Sequence, residues 1–149
     1  MSSLIGEYTC AVDEKGRIIL PAPLKKQISP EAEDKFMINR GFEKYLALYP
    51  RNEWNIMSEK IRKLNLFIEK NRLFVRYFYR GATELTLDKT NRLLLPKSLT
   101  GHAKIGKEVI LLGMIDHIEI WSKEAYEAFM ATEPEDFATL AEEVMGKQE

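Results

Sequence analysis

The sequence predicts an α+β fold in which one structural unit is used twice. The segment from Asp13 to Pro21, DEKGRIILP, recurs 75 positions later as DKTNRLLLP, from Asp88 to Pro96. The aspartate, the arginine, three aliphatic residues and the proline all match at that offset, and the similarity continues downstream at an offset of 72. A repeat at a nearly fixed offset over half of a chain indicates one supersecondary unit that occurs twice.

Each copy begins with two predicted strands joined by a tight turn. In the first copy, residues 8–13 are rich in strand-forming side chains and meet residues 17–20 across residues 14–16. This pattern predicts a hairpin, because Gly16 can adopt a positive φ without steric cost. In the second copy Asn91 takes the place of this glycine, and asparagine tolerates the left-handed region better than most residues.

A proline ends the second of these strands in each copy, because proline lacks the N–H that a continuing ladder needs. Proline also suits the first turn of a helix, so short helices are predicted directly after it, at residues 22–28 and 97–101. A second hairpin follows in each copy, built from two apolar strands. These strands are predicted at residues 35–41 and 45–49, and at residues 107–113 and 117–121.

Longer helices are predicted after each second hairpin. They begin near Pro50 and Ser122, and serine is a favourable N-cap. Apolar residues at three- and four-residue steps across residues 54–68 indicate an amphipathic helix. The stretch over residues 132–145 is typical of one C-terminal helix.

These elements predict one compact domain over residues 1–149, since a chain of this length with 45% hydrophobic residues can bury one core. Within it we expect a first repeat, a helical connector, a second repeat and a C-terminal helix. Their predicted bounds are 5–57, 58–80, 81–131 and 132–149.

The composition indicates a soluble cytoplasmic protein. No uncharged apolar run reaches the roughly 18 residues of a membrane-spanning helix. The N-terminus lacks the basic start and long apolar stretch of a signal peptide. The lone Cys10 cannot form an internal disulfide, which fits a reducing compartment. We therefore expect no membrane partner.

The net charge of −1 conceals an uneven distribution along the chain. Residues 1–110 contain 20 basic and 13 acidic residues, whereas residues 111–149 contain 2 basic and 10 acidic ones. This split indicates a basic body with an acidic C-terminal segment, or a surface charge that is merely uneven. The pI of about 6.2 argues against a strong nonspecific nucleic-acid binder.

The sequence offers little for catalysis. Only two histidines, His102 and His117, are present, and no spacing of Cys, His and acidic residues fits a zinc site. There is no glycine-rich phosphate loop and no nucleophile elbow. The paired carboxylates Asp13 and Asp88 each begin a turn four residues before an arginine, where their expected role is to bind turn amides and orient that arginine. We expect no enzyme, cofactor, metal or small-molecule substrate.

The predicted turns carry cations that suit a nucleic acid. Lys15 and Arg17 flank the first turn, and Lys89 and Arg92 flank the second. A two-stranded ribbon fits the DNA major groove, where arginine can bind guanine O6 and N7, while lysine contacts phosphates. The alternative is that each arginine only closes a salt bridge with the aspartate of its own turn.

Three arginines in the connector are spaced four apart. Arg72, Arg76 and Arg80 would lie on one helical face. They could contact phosphates, or they could pair with carboxylates across a subunit or repeat interface.

The duplicated Asp-x-x-x-Arg signature, Asp13 to Arg17 and Asp88 to Arg92, each followed by aliphatic residues and proline, resembles that of the bacterial MraZ family. The resemblance covers roughly residues 4–145. This family belongs to the AbrB/SpoVT-like swapped-hairpin group, so the resemblance implies tandem AbrB-like β-barrel units that form an intrachain pseudo-dimer, with peripheral helices.

The resemblance also implies a function. MraZ proteins regulate transcription from the promoter of the division and cell-wall gene cluster, often as repressors, and bind G-rich direct repeats of double-stranded DNA. Their subunits assemble into rings, commonly octamers, and a nucleoid location follows from the role. The implied DNA-binding residues are Arg17 with Lys15 and Gly16, and in the second copy Arg92 with Lys89. The family keeps glycine where this sequence has Asn91, so the first copy is the principal candidate.

Two other functions remain open at this point. One is an AbrB-type regulator or antitoxin, whose partner would be a toxin protein. The other is an assembly module that binds no DNA, in which the turns serve ring closure alone.

Overall fold

The computed structural model describes residues 3–131 and 136–146. The strands and helices occur along the chain as two successive series of similar order. The first series is β1 (Glu7–Ala11), β2 (Arg17–Ile19), α1 (Ala22–Gln27), a 3-10 turn (Pro30–Ala32), β3 (Lys35–Arg40), β4 (Leu46–Pro50), α2 (Arg51–Arg62) and α3 (Glu69–Tyr79). The second is β5 (Thr83–Thr86), β6 (Arg92–Leu94), α4 (Lys97–Thr100), β7 (Glu108–Gly113), β8 (Ile118–Ser122), α5 (Lys123–Met130) and α6 (Phe137–Met145).

The strands of the two series are interleaved in one antiparallel sheet. Its six strands follow the order β1-β7-β8-β4-β3-β5, and a separate two-stranded ribbon joins β2 to β6. The first strand of each series therefore pairs with the third strand of the other. This arrangement confirms the α+β class. The sheet has open edges at β1 and β5, and no closed barrel is found in the described part of the chain.

In each copy, the prediction that the first two strands pair with each other is wrong, although the turn between them forms. Between β1 and β2 the N–H of Gly16 donates to the Asp13 carbonyl at 2.9 Å, and the N–H of Asp13 donates to the Arg17 carbonyl at 2.9 Å. Beyond that turn β1 pairs with β7, and β2 pairs with β6. The turn sequence specifies only the reversal, whereas the long ladder on β7 and the burial of the ribbon decide the partners.

The second hairpin of each copy is confirmed. Strand β3 pairs with β4, and β7 pairs with β8, with the register running from Phe36 opposite Pro50 and from Val109 opposite Ser122. Helices α2 and α5 begin directly after these hairpins, as predicted. Ser122 caps α5 by accepting a 3.0 Å hydrogen bond from the N–H of Ala125.

The amphipathic helix predicted over residues 54–68 is shorter than expected. Helix α2 ends at Arg62, and α3 begins at Glu69. Asn65 accounts for the interruption, since its side-chain oxygen accepts a 3.0 Å hydrogen bond from the N–H of Phe67. Asparagine commonly competes with helical backbone bonding in this way.

The predicted C-terminal helix is described only in part. Helix α6 covers Phe137–Met145, with Asp136 as its N-cap accepting a 3.1 Å hydrogen bond from the N–H of Thr139. Residues 132–135 and 147–149 of the predicted C-terminal segment lie outside the described residues.

Two apolar clusters pack on the opposite faces of the sheet. One face packs on the ribbon and the short helices α1 and α4, with Ile18, Leu93, Leu24 and Leu99 fully or almost fully buried. The other face packs against α2 and α3 through an aromatic cluster, in which Tyr45, Tyr49 and Trp121 lie on the sheet side and Trp54 and Phe78 belong to the helices. This layering leaves one side of the ribbon facing outward.

No helix within the described residues has the length and apolar character needed to cross a membrane.

Candidate nucleic-acid interface

The outer face of the β2–β6 ribbon is the part of the molecule where the predicted site residues converge. In the antiparallel register Arg17 lies opposite Leu94, and Ile19 lies opposite Arg92. Side chains alternate between the faces of a strand, so Ile18 and Leu93 between them point into the core. Ile19 and Leu94 are 60% and 55% exposed. The outer face thus presents two exposed aliphatic side chains, each of which lies opposite an arginine on the paired strand.

Asp13 organises the first turn. Its Oδ1 accepts hydrogen bonds from the backbone N–H of Lys15 at 2.9 Å and of Arg17 at 2.8 Å. Its Oδ2 accepts a 2.8 Å hydrogen bond from Nε of Arg17. The backbone N–H of Arg17 is the largest of the interactions that lower the pKa of the Asp13 carboxyl group. The carboxylate therefore fixes both the turn and the direction of the guanidinium group.

Asp88 repeats this arrangement at the second turn. Its Oδ1 accepts from the N–H groups of Thr90 and Arg92, both at 2.9 Å, and its Oδ2 accepts from Nε of Arg92 at 2.8 Å. The Thr90 hydroxyl adds a hydrogen bond to Oδ1 at 3.0 Å. The backbone N–H of Arg92 leads the interactions that hold the pKa of Asp88 far below its ordinary value.

Both turns need a residue with positive φ before the arginine. Gly16 has a φ of 85° and Asn91 a φ of 62°. A Cβ atom added at Gly16 would meet no atom within 4 Å, so the tip of the first turn is open. At the second turn the space is occupied, because Oδ1 of Asn91 accepts a 2.7 Å hydrogen bond from Nζ of Lys25.

In both turns the arginine uses its Nε atom for the aspartate. Among the described residues, the terminal Nη atoms of Arg17 and Arg92 donate no hydrogen bond. Each guanidinium group is thus oriented at one edge while its remaining N–H groups stay available to a ligand. An arginine held in this way can bind an acceptor pair without losing further side-chain freedom.

Additional cations surround the first turn. Lys15 and Lys89 are exposed at the two tips. A groove of about 660 Å³ is lined by residues of the first turn and of the second repeat, and its lining includes Lys15 and Lys97 together with Asp13 and Glu14. Sequence analysis missed Lys25 and Lys97, because neither belongs to the repeated signature. The exposed pair Ile19 and Leu94 could have been found from the alternation of inward and outward residues along the two strands.

The three connector arginines do not form the predicted stripe. Arg72 donates a 2.9 Å hydrogen bond from Nη1 to the carbonyl oxygen of Leu66, before the helix. Arg76 lies in the last turn of α3, whereas Arg80 follows the helix with an extended backbone. Only the first two therefore share a helical face.

The histidines lie away from the ribbon. His117 contacts Asp116 and packs on the ring of Tyr49, and His102 contacts the backbone carbonyl of Glu43. Within the described residues, no group of three or more His, Cys, Asp or Glu side chains could hold a metal ion.

Comparison with known proteins matches both halves of the chain to one family. The family model described as "MraZ protein, putative antitoxin-like" matches residues 4–77 and again residues 78–147, which supports the duplicated unit.

The curated relatives include three proteins each named Transcriptional regulator MraZ. The protein of Christiangramia forsetii is 45% identical over an alignment of 150 residues that covers all of this chain and 97% of the relative. That of Flavobacterium psychrophilum is 44% identical over 147 residues, with 98% and 94% covered. That of Cytophaga hutchinsonii is 39% identical over 145 residues, with 97% and 96% covered.

Proposed function

The chain belongs to the MraZ family, and on that premise we propose that it is a transcriptional regulator that reads promoter DNA with the β2–β6 ribbon. The observation that carries this proposal is the outer face of the ribbon, on which Arg17 and Arg92 are both oriented by aspartates. A two-stranded ribbon is one of the elements that the major groove admits.

In this proposal Arg17 is the principal base-reading residue. With Nε engaged by Asp13, its terminal nitrogens would bind O6 and N7 of a guanine as a bidentate pair. Gly16 allows the DNA to approach the backbone of the turn closely, since the space around its Cα is open. Lys15 would contact a phosphate and add affinity without sequence information.

The second turn has a supporting role. Arg92 and Lys89 would reach the same DNA from the other end of the ribbon, but the Asn91 side chain and its hydrogen bond to Lys25 occupy the tip there. Asp13, Asp88 and Asn91 are assigned to the geometry of the turns. The interleaved strands support a swapped-hairpin arrangement in which the two repeats act as an intrachain pseudo-dimer.

The wider biology follows from the family resemblance. We infer a homo-oligomeric ring, an octamer, that binds G-rich direct repeats in the promoter of the division and cell-wall gene cluster and represses it. A ring would present several ribbons to successive repeats on one DNA, so that modest contacts add up even though the chain is not basic overall. The protein acts in the cytoplasm at the nucleoid, without a cofactor or small-molecule substrate, and is not an enzyme.

The domain division is proposed in the same way. The first repeat, 5–57, and the second, 81–131, carry the ribbon and sheet strands, and the connector 58–80 and the C-terminal segment 132–149 lie outside the repeated signature.

Fluorescence anisotropy with a labelled duplex tests the function. The wild-type protein is expected to bind a duplex of G-rich direct repeats much more tightly than one of the same composition in scrambled order. Its affinity should fall steeply with salt, as for any protein that displaces counterions. Equal affinity for both duplexes at every salt concentration would refute sequence-specific reading.

The family description keeps the antitoxin as a second candidate. An AbrB-type antitoxin would form a stable complex with a toxin protein and free it on degradation. Co-expression with the products of the neighbouring genes, followed by purification, would distinguish the two, because the regulator is expected to purify with its own copies and DNA alone.

A further inference from the structure

Helix α6 is an acidic amphipathic helix with an exposed apolar face. Its apolar side chains recur at helical spacing, and they are between 40% and 73% exposed. They are Phe137, Leu140, Val144 and Met145. The sequence from residue 132 to residue 146 contains five acidic residues and no basic one. An exposed apolar face of this kind is costly in water and indicates an interaction surface.

Helix α3 presents the opposite charge beside a similar apolar surface. We define the α3 face as Lys70, Leu73, Phe74, Arg76 and Tyr77, which follow one another around one side of the helix. Its apolar members Leu73, Phe74 and Tyr77 are 54%, 42% and 58% exposed. Residues 60–80 contain seven basic residues against the single acidic Glu69. The α3 face is therefore apolar with two cations of its own, Lys70 and Arg76, and lies in a basic stretch of the chain.

A cationic cavity adjoins the α3 face. Its volume is about 430 Å³, and its lining includes Phe74 and Tyr77 of that face. The cavity is also lined by His102 and by three cations, and by no carboxylate of the described residues; the cations are Arg40, Lys44 and Arg80.

The electrostatics of the cavity favour the binding of an anionic group. Burial and then the cations Arg40, Lys44 and Arg80 lower the pKa of His102, against a raising contribution from its hydrogen bond to the Glu43 backbone. The Nε donor of Arg40 is buried and has no hydrogen-bond acceptor among the described residues. A buried donor without a partner costs free energy that an incoming carboxylate would recover.

From these surfaces we propose that α6 of one subunit docks on the α3 face and the adjoining cavity of the next subunit. The inference rests on the homo-oligomer of the proposed function and names the contact that builds it. A head-to-tail contact between two different surfaces generates a ring when its rotation closes. The acidic residues of α6 pair with the cations around α3, while Phe137, Leu140 and Val144 cover the exposed aromatic side chains.

A second copy of the chain fits this surface better than DNA does. Phosphates would satisfy the cations, but they would leave the apolar side chains Leu73, Phe74 and Tyr77 in water. The dimensions also agree, because α6 has nine residues and α3 has eleven, which correspond to about 14 and 17 Å at 1.5 Å per residue.

Charge exchange between the two surfaces tests the contact. The α3 variant carries Lys70→Glu and Arg76→Glu, and the α6 variant carries Glu142→Lys and Glu143→Lys. Each variant alone is expected to lose the wild-type oligomer mass in light scattering and to run as a monomer. When the two are mixed in equal amounts, the oligomer should return, because every contact then joins surfaces of opposite charge.

A control variant, Lys26→Glu with Lys107→Glu, makes the same charge change on exposed lysines outside both surfaces and should keep the oligomer. A second test removes apolar contact without changing charge. Leu140→Ala with Val144→Ala should also give monomers, with an unchanged circular dichroism spectrum because both side chains are exposed.

The possible failures are distinct. If both charge variants keep the wild-type mass, the proposed contact is wrong while the ring and the DNA-binding function stand. If each variant alone is monomeric and mixing restores nothing, α6 does not dock on the neighbouring α3 face, and the contact is likewise wrong. A wild-type protein that is monomeric at every concentration would overturn both the contact and the ring, whereas anisotropy with promoter duplex tests DNA reading independently.

Discussion

The backbone N–H of Leu20 donates a 2.8 Å hydrogen bond to the carbonyl oxygen of Asn91, so the end of one ribbon strand is tied to the turn of the other repeat. The relation is reciprocal, because the N–H of Leu95 donates to the carbonyl oxygen of Gly16 at 3.0 Å. Each turn is thus supported by the repeat to which it does not belong. The two arginines at the ends of the ribbon are consequently held at a fixed separation, as the proposed role in DNA binding requires.

Arg17→Ala is expected to weaken binding to the G-rich duplex more than Arg92→Ala does. The Arg17 substitution should reduce the binding free energy by about 1–3 kcal/mol for each bidentate contact that is removed. The effect is multiplied where several subunits bind one DNA. The open tip at Gly16 and the occupied tip at Asn91 give the reason for the difference. Anisotropy titrations measure both affinities, with oligomer mass as the check on folding. Equal losses for the two variants would show that both turns read bases.

Lys15→Ala is expected to act on affinity rather than on specificity. If Lys15 neutralises a phosphate, its loss should reduce the magnitude of the slope of log affinity against log salt. The expected reduction is about one for each subunit that loses this phosphate contact. The preference for the G-rich over the scrambled duplex should stay the same. Glu14→Ala is the matched control at the neighbouring exposed position, and it should not reduce the slope. A changed sequence preference in Lys15→Ala would assign the lysine to base reading instead.

Substitutions of Gly16 are expected to separate backbone strain from crowding. With a φ of 85° at this position and free space around it, a β-branched residue is strained although it meets no neighbour. Gly16→Val should lower the free energy of unfolding by about 1–2 kcal/mol, whereas Gly16→Asn, which copies the second turn, should lower it by less. Urea denaturation measures both. The same loss for Asn and Val would mean that the left-handed conformation does not set the cost.

Asp88→Asn is expected to change how stability depends on pH. Because the folded-state pKa of Asp88 is lowered, its carboxylate stabilises the folded protein fully above the unfolded pKa of about 3.9 and progressively less as pH falls below it. The Tm difference between wild type and Asp88→Asn should therefore be constant at neutral pH and shrink below about pH 4. Asparagine keeps the oxygen that accepts the two amide protons but not the one that accepts from Nε of Arg92, so the difference reports the charge together with that charge-assisted hydrogen bond.

The matched control for this measurement is Glu14→Gln, which removes one exposed negative charge near the first turn. Its Tm should follow the wild-type curve, because Asp13, and not Glu14, accepts the amide protons of that turn. A Tm difference for Asp88→Asn that stays the same down to the most acidic pH would contradict the assigned role.

Leu93→Ala and Leu94→Ala are expected to differ although the two residues are adjacent. Leu93 is fully buried between the ribbon and the sheet, whereas Leu94 is 55% exposed on the outer face. Truncation at position 93 should cost about 2–5 kcal/mol of unfolding free energy, as for a buried leucine. Truncation at position 94 should cost less than about 0.5 kcal/mol and, if the outer face meets DNA, reduce affinity. Denaturation and anisotropy together test the assignment of the two faces.

The parts of the fold that the sequence predicts well are those that depend on neighbouring residues. Asp13 reaches both the backbone N–H and the Nε of Arg17 four residues later, so its role could be predicted from spacing alone. The hairpins β3–β4 and β7–β8 could be predicted for the same reason. The apolar pattern over residues 54–68 predicts a longer helix than the one that forms, since the periodicity continues past the point where Asn65 interrupts the helix.

The sequence by itself determined the duplicated unit, the two aspartate-oriented arginines and the charge contrast between the body and the C-terminal segment. Only the tertiary structure decided that β1 pairs with β7 and β2 with β6, which places Arg17 and Arg92 on one face of one ribbon. It also decided that the α3 face is left exposed. The physical reason is that a turn is fixed by interactions over a few residues, whereas strand partners and burial depend on competition among segments distant in sequence.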